Sequence, residues 1–260
     1  MHLEIEVDLH YAAKQPGAIL LQIVPSSGAD QTCLRSDLHV THGTLQSRVF
    51  ADQKIGYRQW LRAESDFACT YRGCVAIHRD PVVFSKLAAQ EFADIPAEVV
   101  PYLMPSRFCH SEQFSAFVQS EFQGAPSGAL VAEMCAWIDR KPRYDPAASL
   151  PGATATDIFH ALAGVCRDYA HLLITFARAI GVPARFASVY GPEVKPQDFH
   201  SIAEVWLGDA WHMIDPTGMS EPRSVVRIGV GRDAADVAFL TSYMPLNFVA
   251  QCVQVTVGQR

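Results

Sequence analysis

Along the first eighty or so residues, apolar and polar positions alternate with a period of two. "LEIEVDLHY" (3–11) is the clearest case, and "AILLQIVP" (18–25) is a short apolar run closed by Pro25 and the turn cluster "SSGAD". "SDLHVTHG", "SRVFADQ" and "CTYRGCVAIHR" continue the pattern, which predicts short antiparallel strands joined by polar turns. Near Pro81 the period changes. "PVVFSKLAAQEFADIP" (81–96), "SEQFSAFVQSEFQG" (111–124, capped at Ser111) and "GALVAEMCAWIDRKPRYDP" (128–146, ending before Pro142) show helical spacing. The strongest helical stretch is "GVCRDYAHLLITFARAIGVPAR" (164–185). Cys166, Tyr169, Leu173, Phe176 and Ile180 share a face, Gly181 is placed to end the helix, and Pro183 prevents its continuation. Strand patterns return in "ARFASVYG", "HSIAEVWL", "AWHMID", "SVVRIGVG" and "VAQCVQVTV". A β block, then helices, then strands predicts an α+β fold, divided into a β-rich, sandwich-like unit (1–100) and an α+β unit (101–260).

Composition narrows the function classes. The 260 residues are 49% apolar and 18% charged with a net charge of −6, and no basic run marks a nucleic-acid surface. No apolar stretch approaches the ~18 residues of a membrane span, and the N-terminus lacks the pattern of a secretion leader. Seven cysteines (33, 69, 74, 109, 135, 166 and 252) at irregular spacing are expected to be free thiols in a reducing cytoplasm.

Six of those thiols read as small apolar fillers; Cys166 has more around it. A cysteine at the front of a helix meets unpaired N–H groups and the positive end of the helix dipole, which favour a thiolate and can donate to an oxyanion. A nucleophile also needs a base and an orienting group. In "DFHSIAEVWLGDAWHMIDPTG", His200, Ile202, Glu204 and Trp206 share one strand face, and Gly208-Asp209 reads as a two-residue turn. Pairing Leu207 with Ala210 then sets Ile202 opposite Asp215, diagonally across from His200 and within side-chain reach. Singly, each of these residues has an ordinary structural explanation; the ordered set Cys166, His200, Asp215 points to nucleophilic catalysis.

The segments "GVCRDYAHLLITFARAIGVPARFASVYG", "HSIAEVWLGDAWHMIDPT" and "VGRDAADVAF", with the lead-in "YLMPSRFC", resemble the bacterial transglutaminase-like proteins, often described as candidate cysteine proteases. The resemblance covers about residues 102–240. It implies a papain-like core with Cys166 as nucleophile, His200 as base and later acid, and Asp215 orienting His200. It further implies acyl-enzyme chemistry on a peptide or amide substrate, by hydrolysis or amine transfer, without cofactor, metal, nucleic-acid or membrane partner. Asp168 and Tyr169 also match, Asp168 as structural support that caps the helix start or positions Arg167. Ile202 departs from the pattern, which often carries an aromatic residue there. The backbone N–H of Cys166 is one expected oxyanion donor, and Tyr102 and Tyr144 are candidates for the second.

Other groupings carry less. His39 and His42 are expected to face solvent, Cys69 and Cys74 lack a second cysteine pair for zinc, and adjacent Cys109 and His110 are poorly placed to act on each other. His212 falls on the opposite face from Asp215. "GVGRDA" (229–234) lacks the βαβ context of a dinucleotide loop, and Arg232, Asp233 and Asp236 are expected to form a supporting ion-pair cluster. Two rival functions remain: a catalytically silent binding module on the same fold, and an acyltransferase to a small amine.

Overall fold

The computed structural model describes residues 1–258. The alternating N-terminal stretch forms β1 (His2–Ala13), β2 (Gly17–Leu21), β3 (Gln31–His42), β4 (Thr44–Phe50), β5 (Tyr57–Ala63) and β6 (Phe67–Ile77). Then follow α1 (Ser115–Glu121), α2 (Gly128–Arg140), β7 (Arg143–Tyr144), α3 (Ala155–Ala161), β8 (Ala163–Gly164) and α4 (Cys166–Ala179). The chain closes with β9 (Ala184–Tyr190), β10 (His200–Leu207), β11 (Ala210–Ile214), β12 (Val226–Gly231), β13 (Leu240–Ser242) and β14 (Leu246–Val257). The fold is α+β with mostly antiparallel sheets, as the sequence pattern predicts.

Two four-stranded sheets, ordered β14-β1-β6-β3 and β13-β2-β5-β4, form the N-terminal sandwich. Leu3, Ile5, Val7, Leu21, Leu61 and Tyr71, each 1% exposed or less, fill it from both sides. Its membership departs from the division at residue 100. The last two strands return to it: Ile5 pairs with Val255 on one edge and Leu20 with Thr241 on the other. Alternation in 249–257 identifies a strand but not its partner, and inward Val253 and Val255 are drawn to the apolar face of β1.

The third sheet, β11-β10-β9-β12, carries α4 on one face. Leu173, Phe176 and Ala177 of α4 and Ala203, Val205 and Leu207 of β10 belong to one buried cluster, with α2 and α3 completing it. Burying such side chains contributes roughly 1.5–3 kcal/mol each, which fixes the helix on the sheet. Tyr190, Val226 and Ile228 join the sandwich core, and the Tyr190 hydroxyl donates to the Ile23 carbonyl at 2.7 Å, so sheet and sandwich pack as neighbours.

Residues 81–96, expected to be helical, contain only two short 3₁₀ turns, Phe84–Lys86 and Phe92–Asp94. Here tertiary contacts override periodicity. The carbonyls of Leu87 and Ala88 accept from Gly128 and Gly208 N–H groups, and the Gln90 side chain bonds those of Trp206 and Asp209, which pins the segment as a strap. Similarly, α1 begins at Ser115 after a 3₁₀ turn rather than at a Ser111 cap. Among the described residues no helix is long and apolar enough to cross a membrane.

Candidate active site

Cys166 is the first residue of α4 and is partly exposed. The turn that delivers it is built around the fully buried Asp168. Asp168 Oδ2 accepts from the Val165 N–H at 3.0 Å and from Ser149 Oγ at 2.7 Å, while Arg167 Nε donates to Oδ1 at 3.0 Å. Both expected supporting roles of Asp168 are therefore present: it caps the helix start and holds Arg167. The preceding Gly164 is required by space, because a Cβ there would lie 2.7 Å from Asp168 Oδ2.

His200 opens β10, and Asp215 directly follows β11. The expected register holds: Leu207 pairs with Ala210 and Ala203 with Ile214. Gly208 (φ 52°) and Asp209 (φ 68°) both adopt the left-handed conformation, giving the turn with two positive φ values rather than one that needs glycine only at its first position. The hairpin carries Asp215 Oδ2 to 2.8 Å from His200 Nε2, with both side chains almost completely buried.

Asp215 is held from several directions. Its Oδ1 accepts from the Thr217 N–H (2.9 Å) and hydroxyl (2.7 Å); its Oδ2 accepts from the Ser220 N–H (3.0 Å) and hydroxyl (2.7 Å) as well as from His200. One oxygen thus braces the Asp-Pro turn while the other faces the imidazole. Burial works to raise the carboxyl's pKa, but the hydrogen bond and charge of His200, with Thr217 and Ser220, hold it below the usual range.

The His200 ring balances similar forces. Burial disfavours its charged form, yet the hydrogen bond to Asp215 and the nearby Cys166 side chain lift its pKa to about 9. Nε2 is committed to Asp215, so Nδ1 is the nitrogen left for Cys166. The structure therefore brings Cys166, His200 and Asp215 together in a chain of contacts.

Tyr144 reaches the same place. Strand β7 runs parallel to β8, with Tyr144 opposite Gly164, two residues before the cysteine. Burial, with the neighbouring Cys166 side chain, pushes its pKa up to about 12. Tyr102, the other candidate, instead packs edge-on against Trp211 at 5.2 Å and under the Arg185 guanidinium at 5.8 Å. Ile202, where an aromatic residue is common, is buried with Ala187, Val189 and Met213. His212 bonds the Leu207 carbonyl at 3.0 Å, and "GVGRDA" begins within β12.

The buried ion cluster differs from the expected one. Arg232 and Asp236 form an i,i+4 pair at 2.9 Å with Arg232 largely exposed, and Asp233 accepts from the Phe108 and Ala235 N–H groups. The deep network is Arg185–Glu204–Arg227–Asp30. Glu204 is fully buried between Arg185 Nε (2.6 Å) and Arg227 Nε (2.7 Å), and Arg227 reaches Asp30 in the sandwich at 3.1 Å. Sequence reasoning placed Glu204 on a strand face but found no partners, because these lie 19 residues before, 23 after and far upstream. Ser149, Thr217 and Ser220 were missed likewise. Hydroxyl residues in turns are common, and only the fold shows which carboxylates they reach.

Residues 117–216 match the family described as the transglutaminase-like superfamily. "Uncharacterized protein ML0607" of Mycobacterium leprae is 33% identical over 123 residues, covering 44% of this chain and 43% of that protein, so the match spans less than half of the relative's length. A candidate cysteine protease from Cytophaga hutchinsonii superimposes over 98% of this chain and 90% of its own, with a TM-score of 0.91 and 26% identity. The periplasmic domain of TgpA from Pseudomonas aeruginosa aligns over 84% of this chain and 88% of its own, with a TM-score of 0.44 and 18% identity.

Proposed function

We propose that this chain, whose residues 117–216 match the transglutaminase-like superfamily, is a thiol enzyme that forms an acyl-enzyme from a peptide or amide. The observation that carries the reading is the buried His200, whose Nε2 lies 2.8 Å from Asp215 Oδ2 and whose raised pKa has the Cys166 side chain among its causes. A histidine held this way, with its pKa lifted to about 9, keeps at neutral pH the proton it takes from the thiol.

Cys166, its proton already on His200, attacks the carbonyl carbon. The carbonyl oxygen becomes an oxyanion between the Cys166 N–H and the Tyr144 hydroxyl, whose raised pKa keeps it a donor. The imidazolium, steadied by Asp215, returns the proton to the leaving amine as the C–N bond breaks. Water then enters, His200 removes its proton, and the thioester is cleaved to the acid; a primary amine in place of water gives a new amide. We place this activity in the reducing cytoplasm, on the strength of seven irregularly spaced cysteines.

The test uses denatured casein as the probe and counts new N-termini, with intact-protein mass spectrometry to detect an acyl adduct on Cys166. Wild-type protein is expected to generate both and Cys166→Ala neither. Equal cleavage by the two proteins, or none by either with no adduct, contradicts the proposal.

A further inference from the structure

The sandwich is open along one side. Its two sheets end in β3 and β4, consecutive strands that pair with β6 and β5 and not with each other. They part at Gly43 (φ 131°), and the cleft between them holds about 650 Å³. Apolar Val24, Leu38, Val40 and Leu45 line it together with polar Ser36 and Gln59. Gln59, on β5, is 1% exposed, yet its Oε1 has no hydrogen-bond partner among the described residues. Buried carbonyls are normally satisfied, so an amide left open at the wall of a cleft points to a donor from outside the chain. Arg48, paired with Gln59 across the strands, does not fill that role: its guanidinium lies over the Tyr57 ring at 5.5 Å.

The two edges differ in how far they invite another strand. β3 breaks register twice, at Cys33/Arg35 and Val40/His42, and carries the charged Arg35 and Asp37; bulges and charges blunt an edge. β4 breaks register once, at Leu45/Ser47, and all seven of its residues are exposed, Phe50 by 57%. We propose that the cleft takes an extended segment of another polypeptide, added to β4 as the fifth strand of its sheet. The segment's backbone occupies the unpaired edge and its alternate side chains enter the cleft, where a long side-chain amide donates to Gln59 Oε1. The seven residues of β4 span ~23 Å, room for a segment of about seven residues whose inward side chains run apolar, amide, apolar. A proline would remove an edge hydrogen bond, so the segment is proline-free. Nothing in this site depends on Cys166 as nucleophile.

The test titrates the full chain carrying Cys166→Ala, which prevents turnover, with the strand-forming peptide acetyl-KVTQTVK-amide. Hydrogen exchange is expected to slow across β4 and not across β3. The companion peptide acetyl-KVTLTVK-amide is expected to bind about fivefold more weakly, the scale of one hydrogen bond. Adding Gln59→Leu is expected to abolish that preference while the thermal midpoint holds or rises, because a buried unpaired group is removed. The fully backbone-N-methylated peptide is expected not to bind. Exchange in β4 that stays unchanged at millimolar peptide overturns the proposal, as does slowing that survives N-methylation. Slowing that appears without peptide and grows with protein concentration assigns the edge to a second copy of this chain and overturns it as well. A Gln59→Leu chain that is destabilised or fails to fold contradicts the unpaired amide on which the site rests.

Discussion

Strand β10 holds two charged sites four residues apart. At its start, His200 joins Asp215 to a partly exposed thiol; further along, Glu204 is sealed between Arg185 and Arg227. Both are buried and both shift pKa values. At Glu204 burial opposes ionisation and the two arginines overcome it, so every charge finds a partner within the protein. At His200 one ring nitrogen is committed to Asp215, and the neighbouring Cys166 is partly exposed. A perturbed pKa alone therefore does not mark catalysis; a perturbed group with open, reactive chemistry beside it does. The Glu204 cluster instead ties the sheet to Asp30 of the sandwich, holding together the units that frame the site.

Cys166→Ala breaks the comparison most sharply. Turnover of a cleaved substrate is expected to fall on the order of 10⁴-fold or more, with the thermal midpoint close to wild type. Asp215→Asn is expected to lower kcat by about 10²- to 10⁴-fold, because the carboxylate that orders the imidazole is lost; the kinetic assay should show the loss in kcat rather than KM. At the other site, Glu204→Ala leaves two arginines facing each other without a counter-charge. Denaturant unfolding should show a loss of about 3–5 kcal/mol.

A smaller effect separates two histidines. His200 has a raised pKa, so its contribution to stability is complete below the unfolded value near 6.5 and is lost as pH rises through about 9. His171, fully buried on α4, is held down to about 4 by burial, partly offset by Asp233, and its Nε2 accepts from the Ala234 N–H at 3.2 Å. Stability should therefore also fall as pH drops from about 6.5 toward 4, and His171→Gln is expected to flatten that limb in pH-dependent unfolding. Smallest is Ser220→Ala, which removes one of the hydrogen bonds to Asp215; about 1 kcal/mol of stability and a kcat loss of about tenfold are expected.

Local physics made part of this legible in sequence. The spacing from Cys166 to Ile180 defines α4 within a residue, and Gly208-Asp209 fixes the hairpin register that delivers Asp215 to His200. These features depend on residues close in the chain. What remained hidden depends on distant partners: β14 reads as a strand but pairs with β1 across almost the whole chain, and the strap at 81–96 has helical spacing yet gives its carbonyls to Gly128 and Gly208. Glu204 resembles any acidic residue on a strand until Arg185 and Arg227 enclose it. Tyr144 could be named as an oxyanion candidate, but only its pairing opposite Gly164 separates it from Tyr102.

The central claim is that His200 activates Cys166, and the rate of iodoacetamide alkylation tests it most directly. Each of the seven cysteines is followed by peptide mass spectrometry from pH 5 to 9, in wild type and His200→Ala. Cys166 is expected to react far faster than the other six below pH 7 and to lose that advantage without His200. A Cys166 no faster than its fellows, or equally fast without the histidine, contradicts the account.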